Sequence, residues 1–360
     1  MSDILSRKTE IKKIVLTGGG TAGHVYPALA LKEYLDPEYE VHYIGGNGME
    51  KDIVSNEKNI VYHEIEAVKL QRKLTLKNLL IPYKLIKSIH QAKKELKEIN
   101  PSVIFSKGGF VALPVVIAGK KLGVPVVSHE SDLSMGLANK IILKYCNTMC
   151  VSFEETCKLS SKCVFTGQPI RKKVLNGNKS NLSFIHSLDK KKPNLLIVGG
   201  SSGAKFINEK VIENIDDLLK KFNVIHLTGK GKIDKIDKPR YIQIEYANNM
   251  GDFLNLADIV ISRAGSGAIN EFLALKKPML LIPLSKQCSR GDQIENARLY
   301  CKLGFADMIE EEDFNKSLFL AKLNNLIEND KIFIKNMQKS NNFNACEKIL
   351  DIIKNIEKAK

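Results

Sequence analysis

The chain has 360 residues, more than one hydrophobic core usually serves, so two domains are expected. Its 44% hydrophobic and 26% charged residues describe a globular protein, and no apolar run is long enough to cross a bilayer. A formal net charge of +15 asks for an anionic partner; with 7% aromatic residues, no Trp and no reader motif, nucleic acid is disfavoured and an anionic membrane surface is the better candidate.

Residues 1–13 are polar and mixed in charge and do not read as a signal peptide. Residues 11–16, which end in the apolar Ile14-Val15-Leu16, predict a strand. A glycine-rich loop follows over 18–24, then a helix is predicted over 28–35, with Pro27 at an early helical position. Gly18, Gly20 and Gly23 match the G-x-G-x-x-G spacing of dinucleotide sites. A NAD site needs an acidic residue at the end of the second strand, but strand 41–44 ends in Gly45-Gly46-Asn47. The expectation is therefore a backbone cradle for a phosphate at a helix start, without NAD. His24, at the mouth of this loop, is a candidate general base, helix cap or phosphate ligand.

Residues 69–94 carry eight Lys or Arg and no acid, interleaved with Leu, Ile and Tyr and broken by Pro82. Such a stretch suits an anionic bilayer, at roughly 1 kcal/mol per basic group. The alternative is a core helix with a Lys-rich outside. Strand 101–106, a glycine turn at 107–110, helix 111–122 and strand 124–127 come next. The polar run 128–132 holds Glu130 and Asp132 at a strand's carboxyl end, placed either for chemistry or to cap the helix that starts near Met135, with Asp132 or Ser134 as the cap. Short strands at 148–152 and 163–165 lead to 166–171, which ends in Arg171.

Residues 176–192 are polar and turn-rich and read as a linker. The pattern then restarts with strand 194–198, the glycine loop 199–203 and a helix from 204. The fold class expected is α/β, two Rossmann-like doubly wound halves. Strand 224–227, a turn at 228–231, strand 241–245 and a helix from 251 precede the most informative stretch, 257–297. There, strand 259–261, the small-residue turn 263–267, helix 268–275 and strand 279–283 succeed one another. The turn presents backbone N–H groups at a helix start, which favours an anion. Glu271 suits two vicinal hydroxyls such as those of a ribose, and Asp292, Gln293 and Asn296 add polar groups. Phosphate, ribose and sugar partners together suggest a nucleotide-sugar site; the plain alternative is a solvated helix. Helices over 314–327 and 333–356 close the chain, the second crossing back onto the first half.

The seven Cys include a cluster at 146, 150, 157 and 163 with no Cys-x-x-Cys pair, so reduced, buried thiols of a cytosolic protein are expected rather than a metal site. No Asp-x-Asp occurs, so no metal or other cofactor is indicated for a diphosphate.

The segments GGGTAGHVYPALAL, SKGGFVALPVVIAG, HESDLSMGLANK, TGQPIR, VGGSSGAKFIN, ISRAGSGAINE and RGDQIENA stand in one order along the chain. In that order they resemble the GT-B glycosyltransferases, and within them the family that adds N-acetylglucosamine to lipid I to make lipid II. The resemblance covers residues 11 to 345 and implies two domains facing a central cleft: 1–170 for acceptor and membrane, 171–334 for donor, with about 335–360 packing back on the first. It implies UDP-N-acetylglucosamine as donor and lipid I (undecaprenyl-diphospho-muramoylpentapeptide) as acceptor, at the cytoplasmic face of the membrane. By motif, Ser201 would contact phosphate, Ala247 would read uracil, Glu271 would take the ribose and Gln293 the sugar hydroxyls. Arg171 is expected near the donor, and Thr21, Ala22 and Gly23 would line the cleft. His24 is the first candidate for the base, with Asp132 and Glu130 as alternatives. Asp132 departs from the Asn of many relatives, and Ala22 from a usual Gly. An enzyme acting on another lipid such as diacylglycerol would share the donor half; a UDP-sugar epimerase would need no acceptor.

Overall fold

In the computed structural model, residues 11–37, 39–67, 81–200, 202–234, 236–340 and 344–359 are described. The chain forms two compact units. The first comprises Met1–Ser131, Met135–Arg171 and Asn344–Lys360, and the second Asp132–Ser134 and Lys172–Phe343.

The first unit is built on seven parallel strands: β1 (Lys12–Thr17), β2 (Tyr39–Gly45), β3 (Val61–Glu64), β4 (Val103–Ser106), β5 (Val126–Glu130), β6 (Thr148–Val151) and β7 (Cys163–Phe165). Their order is β3-β2-β1-β4-β5-β6-β7. Ile14, Val15 and Leu16 of β1 are all fully buried, as a strand covered on both faces requires. The order reverses direction between β1 and β4, which pair with Thr17 opposite Ser106. Their carboxyl ends are therefore level, and the glycine segments that follow them emerge side by side.

Helices α1 (Ala22–Lys32), α2 (Met49–Ser55), α3 (Ile81–Ile99), α4 (Ala112–Lys121) and α5 (Leu137–Tyr145) connect these strands. Helix α1 begins six residues before the expected start, with Pro27 inside it. The proline's missing N–H removes only the bond to the Gly23 carbonyl, one turn from the helix start. Likewise Pro82 does not break α3, which is helical from Ile81 to Ile99. Ser88, Ala92, Leu96 and Ile99 form the buried stripe of α3, while Tyr83 and Ile86 are exposed beside Lys84 and Lys87. The earlier part of the basic stretch, 69–80, lies outside the described residues. Helix α5 is capped neither by Asp132 nor by Ser134: its N-cap is Gly136, whose N–H donates to Glu130 Oε2 at 3.1 Å.

The second unit has six parallel strands: β8 (Asn194–Val198), β9 (Asn223–Leu227), β10 (Tyr241–Ile244), β11 (Ile259–Ser262), β12 (Met279–Leu281) and β13 (Ala306–Met308), in the order β10-β9-β8-β11-β12-β13. Val198 pairs with Ser262, so the reversal between β8 and β11 repeats the geometry of the first unit. Helices α6 (Lys172–Leu175), α7 (Lys205–Glu213), α8 (Ile215–Lys221), α9 (Met250–Leu256), α10 (Ser266–Ala274), α11 (Asp292–Lys302), α12 (Lys316–Glu328) and α13 (Asp330–Gln338) complete it.

Two expectations are corrected. Residues 176–192 are not a free linker. Asp252 is buried; its Oδ1 accepts from the Asn178 N–H at 2.7 Å and its Oδ2 from Asn181 Nδ2 at 3.2 Å. A Cβ on Gly177 would lie 2.0 Å from the Gly251 carbonyl carbon, so only glycine permits this approach. The closing helix is also two helices. Asn344, at φ 62°, adopts the left-handed conformation that Asn tolerates, and α14 (Ala345–Lys358) starts after it. Cys346, Ile349, Leu350 and Ile353 of α14 enter the core of the first unit with Val25, Leu29 and Tyr43.

Candidate functional site

Ligands of doubly wound sheets sit at the carboxyl ends of the strands where the order reverses. In the first unit the glycines after β1 and the turn after β4 meet there. A Cβ on Gly109 would lie 3.2 Å from the Gly19 carbonyl oxygen and 3.5 Å from the His24 ring, which places the imidazole over that turn. Thr21, in extended conformation, is the N-cap of α1, and its Oγ1 is 3.0 Å from His24 Nδ1. Ala22 and Gly23 are the first two residues of the helix.

Behind the turn lies a buried polar floor. Lys107 is 1% exposed, and its Nζ donates to Ser131 Oγ at 2.5 Å. Ser131 in turn donates to Gln168 Oε1 at 2.6 Å, which also accepts from Ser152 Oγ at 2.8 Å. Glu130 accepts from the N–H groups of Ser131 (2.7 Å) and Gly136 (3.1 Å) and from Asn139 Nδ2 (3.0 Å). These three donors tie its carboxylate to the 131–139 turn. His129 donates from Nε2 to the Gly167 carbonyl at 2.9 Å. Burial first, and the Lys107 charge second, hold its pKa well below the usual range, so it is neutral. The Arg171 guanidinium stacks 4.0 Å from the Tyr26 ring centroid, and its buried Nε has no acceptor among the described residues.

In the second unit, the loop after β8 and the turn after β11 occupy the corresponding place. Ser201 lies outside the described residues. Glu271 is the sixth residue of α10, half-buried, in the second turn. Ala247 is half-buried in the loop between β10 and α9. Gln293, the second residue of α11, accepts on Oε1 from the Leu284 N–H at 3.1 Å. Asn296 is fully buried; it donates to Asp132 Oδ1 at 3.1 Å and to the Ala264 carbonyl at 3.2 Å, and accepts from the Leu133 N–H at 3.1 Å. Arg290 Nη2 is 3.8 Å from the other Asp132 oxygen.

The glycosyltransferase family 28 N-terminal domain matches residues 14–151, and the family 28 C-terminal domain matches residues 194–356. A protein of Clostridium tetani named UDP-N-acetylglucosamine–N-acetylmuramyl-(pentapeptide) pyrophosphoryl-undecaprenol N-acetylglucosamine transferase is 49% identical over 349 residues, 95% of this chain and 97% of its own. The chain belongs to glycosyltransferase family 28. A Clostridium botulinum protein of the same name is 47% identical over 355 residues, 97% of this chain and all of its own length. Among solved structures, MurG of Acinetobacter baumannii superposes with a TM-score of 0.74 at 24% identity, covering 96% of this chain and 99% of that one. The fold is that of the GT-B glycosyltransferases.

Seen as a family 28 enzyme, the chain has parts that sequence reasoning missed. Arg263 is a staple rather than a ligand: its guanidinium donates to the Ile282 (2.9 Å) and Pro283 (3.2 Å) carbonyls and pairs with Glu311 at 2.6 Å. Under the loop after β8, a buried network runs from Tyr241 through His226 and Asn208 to the Thr228 carbonyl. Its only sequence signal is polar residues inside otherwise apolar elements. Glu50 is the third: it is 2% exposed and reaches into the first glycine loop, where its Oε2 accepts from the Gly20 N–H at 3.1 Å. One donor of the loop read as a phosphate cradle, the Gly20 N–H, is thus held by a carboxylate of the protein itself. The signal was an acid after Gly45, Gly46 and Gly48, beyond the strand end where a NAD site would have it.

Proposed function

We propose that this enzyme transfers N-acetylglucosamine from UDP-N-acetylglucosamine to lipid I, giving lipid II with inversion. The observation that carries the reading is the 49% identity to the C. tetani transferase over nearly both full lengths. In the reaction the C4 hydroxyl of the muramoyl sugar attacks C1 of the donor sugar. The C1–oxygen bond to UDP breaks with its electron pair, and the hydroxyl proton passes to a base.

His24 is the proposed base, supported by its place over the Gly109 turn. The role requires the tautomer in which Nδ1–H donates to Thr21 Oγ1, so that Nε2 is the acceptor. Asp132 is the alternative; Glu130 is the weaker one, because three donors already hold its carboxylate. The donor is assigned to the second unit: Ser201 and the helix start after β8 for phosphate, Ala247 for uracil, Glu271 for the ribose and Gln293 for sugar hydroxyls. Arg171 is assigned to the charge that develops on the leaving diphosphate. Thr21, Ala22 and Gly23 face the acceptor from the first unit. Neither the assigned residues nor the chemistry asks for a metal.

Among the described residues no helix is long and apolar enough to cross a membrane. The exposed Tyr83 and Ile86 beside Lys84 and Lys87 support peripheral binding of the first unit to an anionic membrane on its cytoplasmic face. The deciding test is UDP release from UDP-N-acetylglucosamine with and without a short-chain lipid I analogue. Release that requires the analogue, with a product heavier by one N-acetylglucosamine, is expected. Release with diacylglycerol instead would overturn the acceptor, and conversion of the donor alone would overturn the reaction.

A further inference from the structure

Glu50 is the second residue of α2, and its carboxylate accepts from two backbone N–H groups. Oε2 accepts from Gly20 at 3.1 Å, and Oε1 accepts from Gly46 at 3.2 Å. Three glycines make room for it. A Cβ would lie 2.7 Å from the Glu50 carboxyl carbon at Gly19, 2.9 Å from Oε1 at Gly46 and 2.9 Å from Oε2 at Gly48. Glycine here therefore houses a side chain of the protein. Two tyrosines hold the same loops from below: Tyr43 donates to the Gly18 carbonyl at 2.7 Å and Tyr62 to the Gly46 carbonyl at 2.5 Å. The loop so clamped runs directly into Thr21 and α1, whose first turn carries His24.

We propose that Glu50 is a positioning residue of the transfer reaction. Its carboxylate fixes the Gly20 peptide, and through it the entry of α1 and the imidazole of His24. It also removes the Gly20 N–H from the donors open to an acceptor phosphate, because a buried anion already holds that group and repels a second. This inference rests on the reaction proposed above. Glu50 itself touches no reacting atom.

The test uses the full chain with Glu50→Gln and Glu50→Asp. Glutamine keeps the length but turns one acceptor into a donor facing an N–H; aspartate keeps the charge but loses reach by one methylene. Both are expected to lower kcat with a short-chain lipid I analogue by about 10- to 100-fold, as small misplacements of a reacting group do, with KM for UDP-N-acetylglucosamine within about twofold. A readout independent of turnover is amide exchange in protein labelled with 15N-glycine. In the wild type, Gly20 is expected to exchange at least about 100-fold slower than an unprotected amide. In both variants that protection falls tenfold or more while Gly119, buried in α4, keeps its own. An unprotected Gly20 in the wild type overturns the clamp, whatever the variants do. Variants whose stability falls while kcat stays within twofold reduce Glu50 to a structural residue and overturn the positioning role. A wild type that transfers nothing to lipid I sinks the proposed function, and the Gly20 exchange still decides whether the clamp exists.

Discussion

The buried network under the second unit's glycine loop makes a prediction that can be worked through to a number. Asn208 Nδ2 donates to the Thr228 carbonyl at 2.9 Å, so its Oδ1 faces His226 Nε2 at 3.1 Å. That nitrogen must carry the proton, and His226 Nδ1 then accepts from the Tyr241 hydroxyl at 2.9 Å. The ring is neutral, and burial pushes its pKa down from 6.5 to about 4. Above pH 6.5 the folded and unfolded chains are equally unprotonated here. As pH falls below 6.5 the unfolded chain takes up a proton that the folded one refuses until about pH 4. Stability is therefore full above 6.5 and lost between 6.5 and 4. At about 1.4 kcal/mol per pH unit, the loss approaches 3 kcal/mol. A His226→Gln variant keeps an amide donor and acceptor without the titration. Its deficit relative to wild type should shrink by up to about 3 kcal/mol from pH 7 to pH 4. Native-state hydrogen exchange of the β9 amides reads this locally, without assuming that both units unfold together. His129 and His42, also held below their usual range by burial, are present in both proteins and cancel. Parallel pH curves for wild type and variant would refute the reasoning.

His24→Ala is expected to lower turnover by about 10²- to 10⁴-fold, with donor affinity largely kept; near-normal turnover in the steady-state assay removes it as base. Gly108→Ala would place a Cβ 2.0 Å from Asn139 Oδ1 at a φ of +84°, displacing the side chain that holds Glu130. A loss of about 2 kcal/mol or more is expected in chemical denaturation, and an unchanged midpoint would contradict the packing described. Ile353→Ala empties a fully buried site on α14, at a cost of about 2–5 kcal/mol; limited proteolysis should then cut within 344–359 faster than in wild type.

What the sequence made legible follows from burial. Strands β1, β4, β8 and β11 are covered on both faces, so they stand out as short apolar runs, and the turns after them carry the glycines that a crowded strand end needs. Strand β3 was invisible because Val61 is exposed and Tyr62 and His63 are only half-buried, leaving no pattern to read. Glu50 was invisible for a different reason. Its partner Gly20 is 30 residues away, and the two meet because β1 and β2 pair in parallel. The stretch 176–192 looked like a linker because its polar residues bond to Asp252, 74 residues beyond Asn178. In each case the missing information was the address of a partner, which composition and periodicity do not carry.

Helix α14 has a consequence for how the protein is made. The core that Ile14, Leu16 and Leu29 begin is finished by Ile349, Leu350 and Ile353, which leave the ribosome only after the second unit's main segment. At ordinary elongation speeds, the 172 residues of the second unit's main segment occupy roughly 10–30 s of synthesis. Throughout that interval the nascent first unit carries an uncovered apolar face. The second unit, whose residues beyond the Asp132–Ser134 turn are contiguous, can close first. The half that begins emerging earlier is the half that matures later, so a chain released a few residues short of α14's end would hold one finished unit and one open to aggregation.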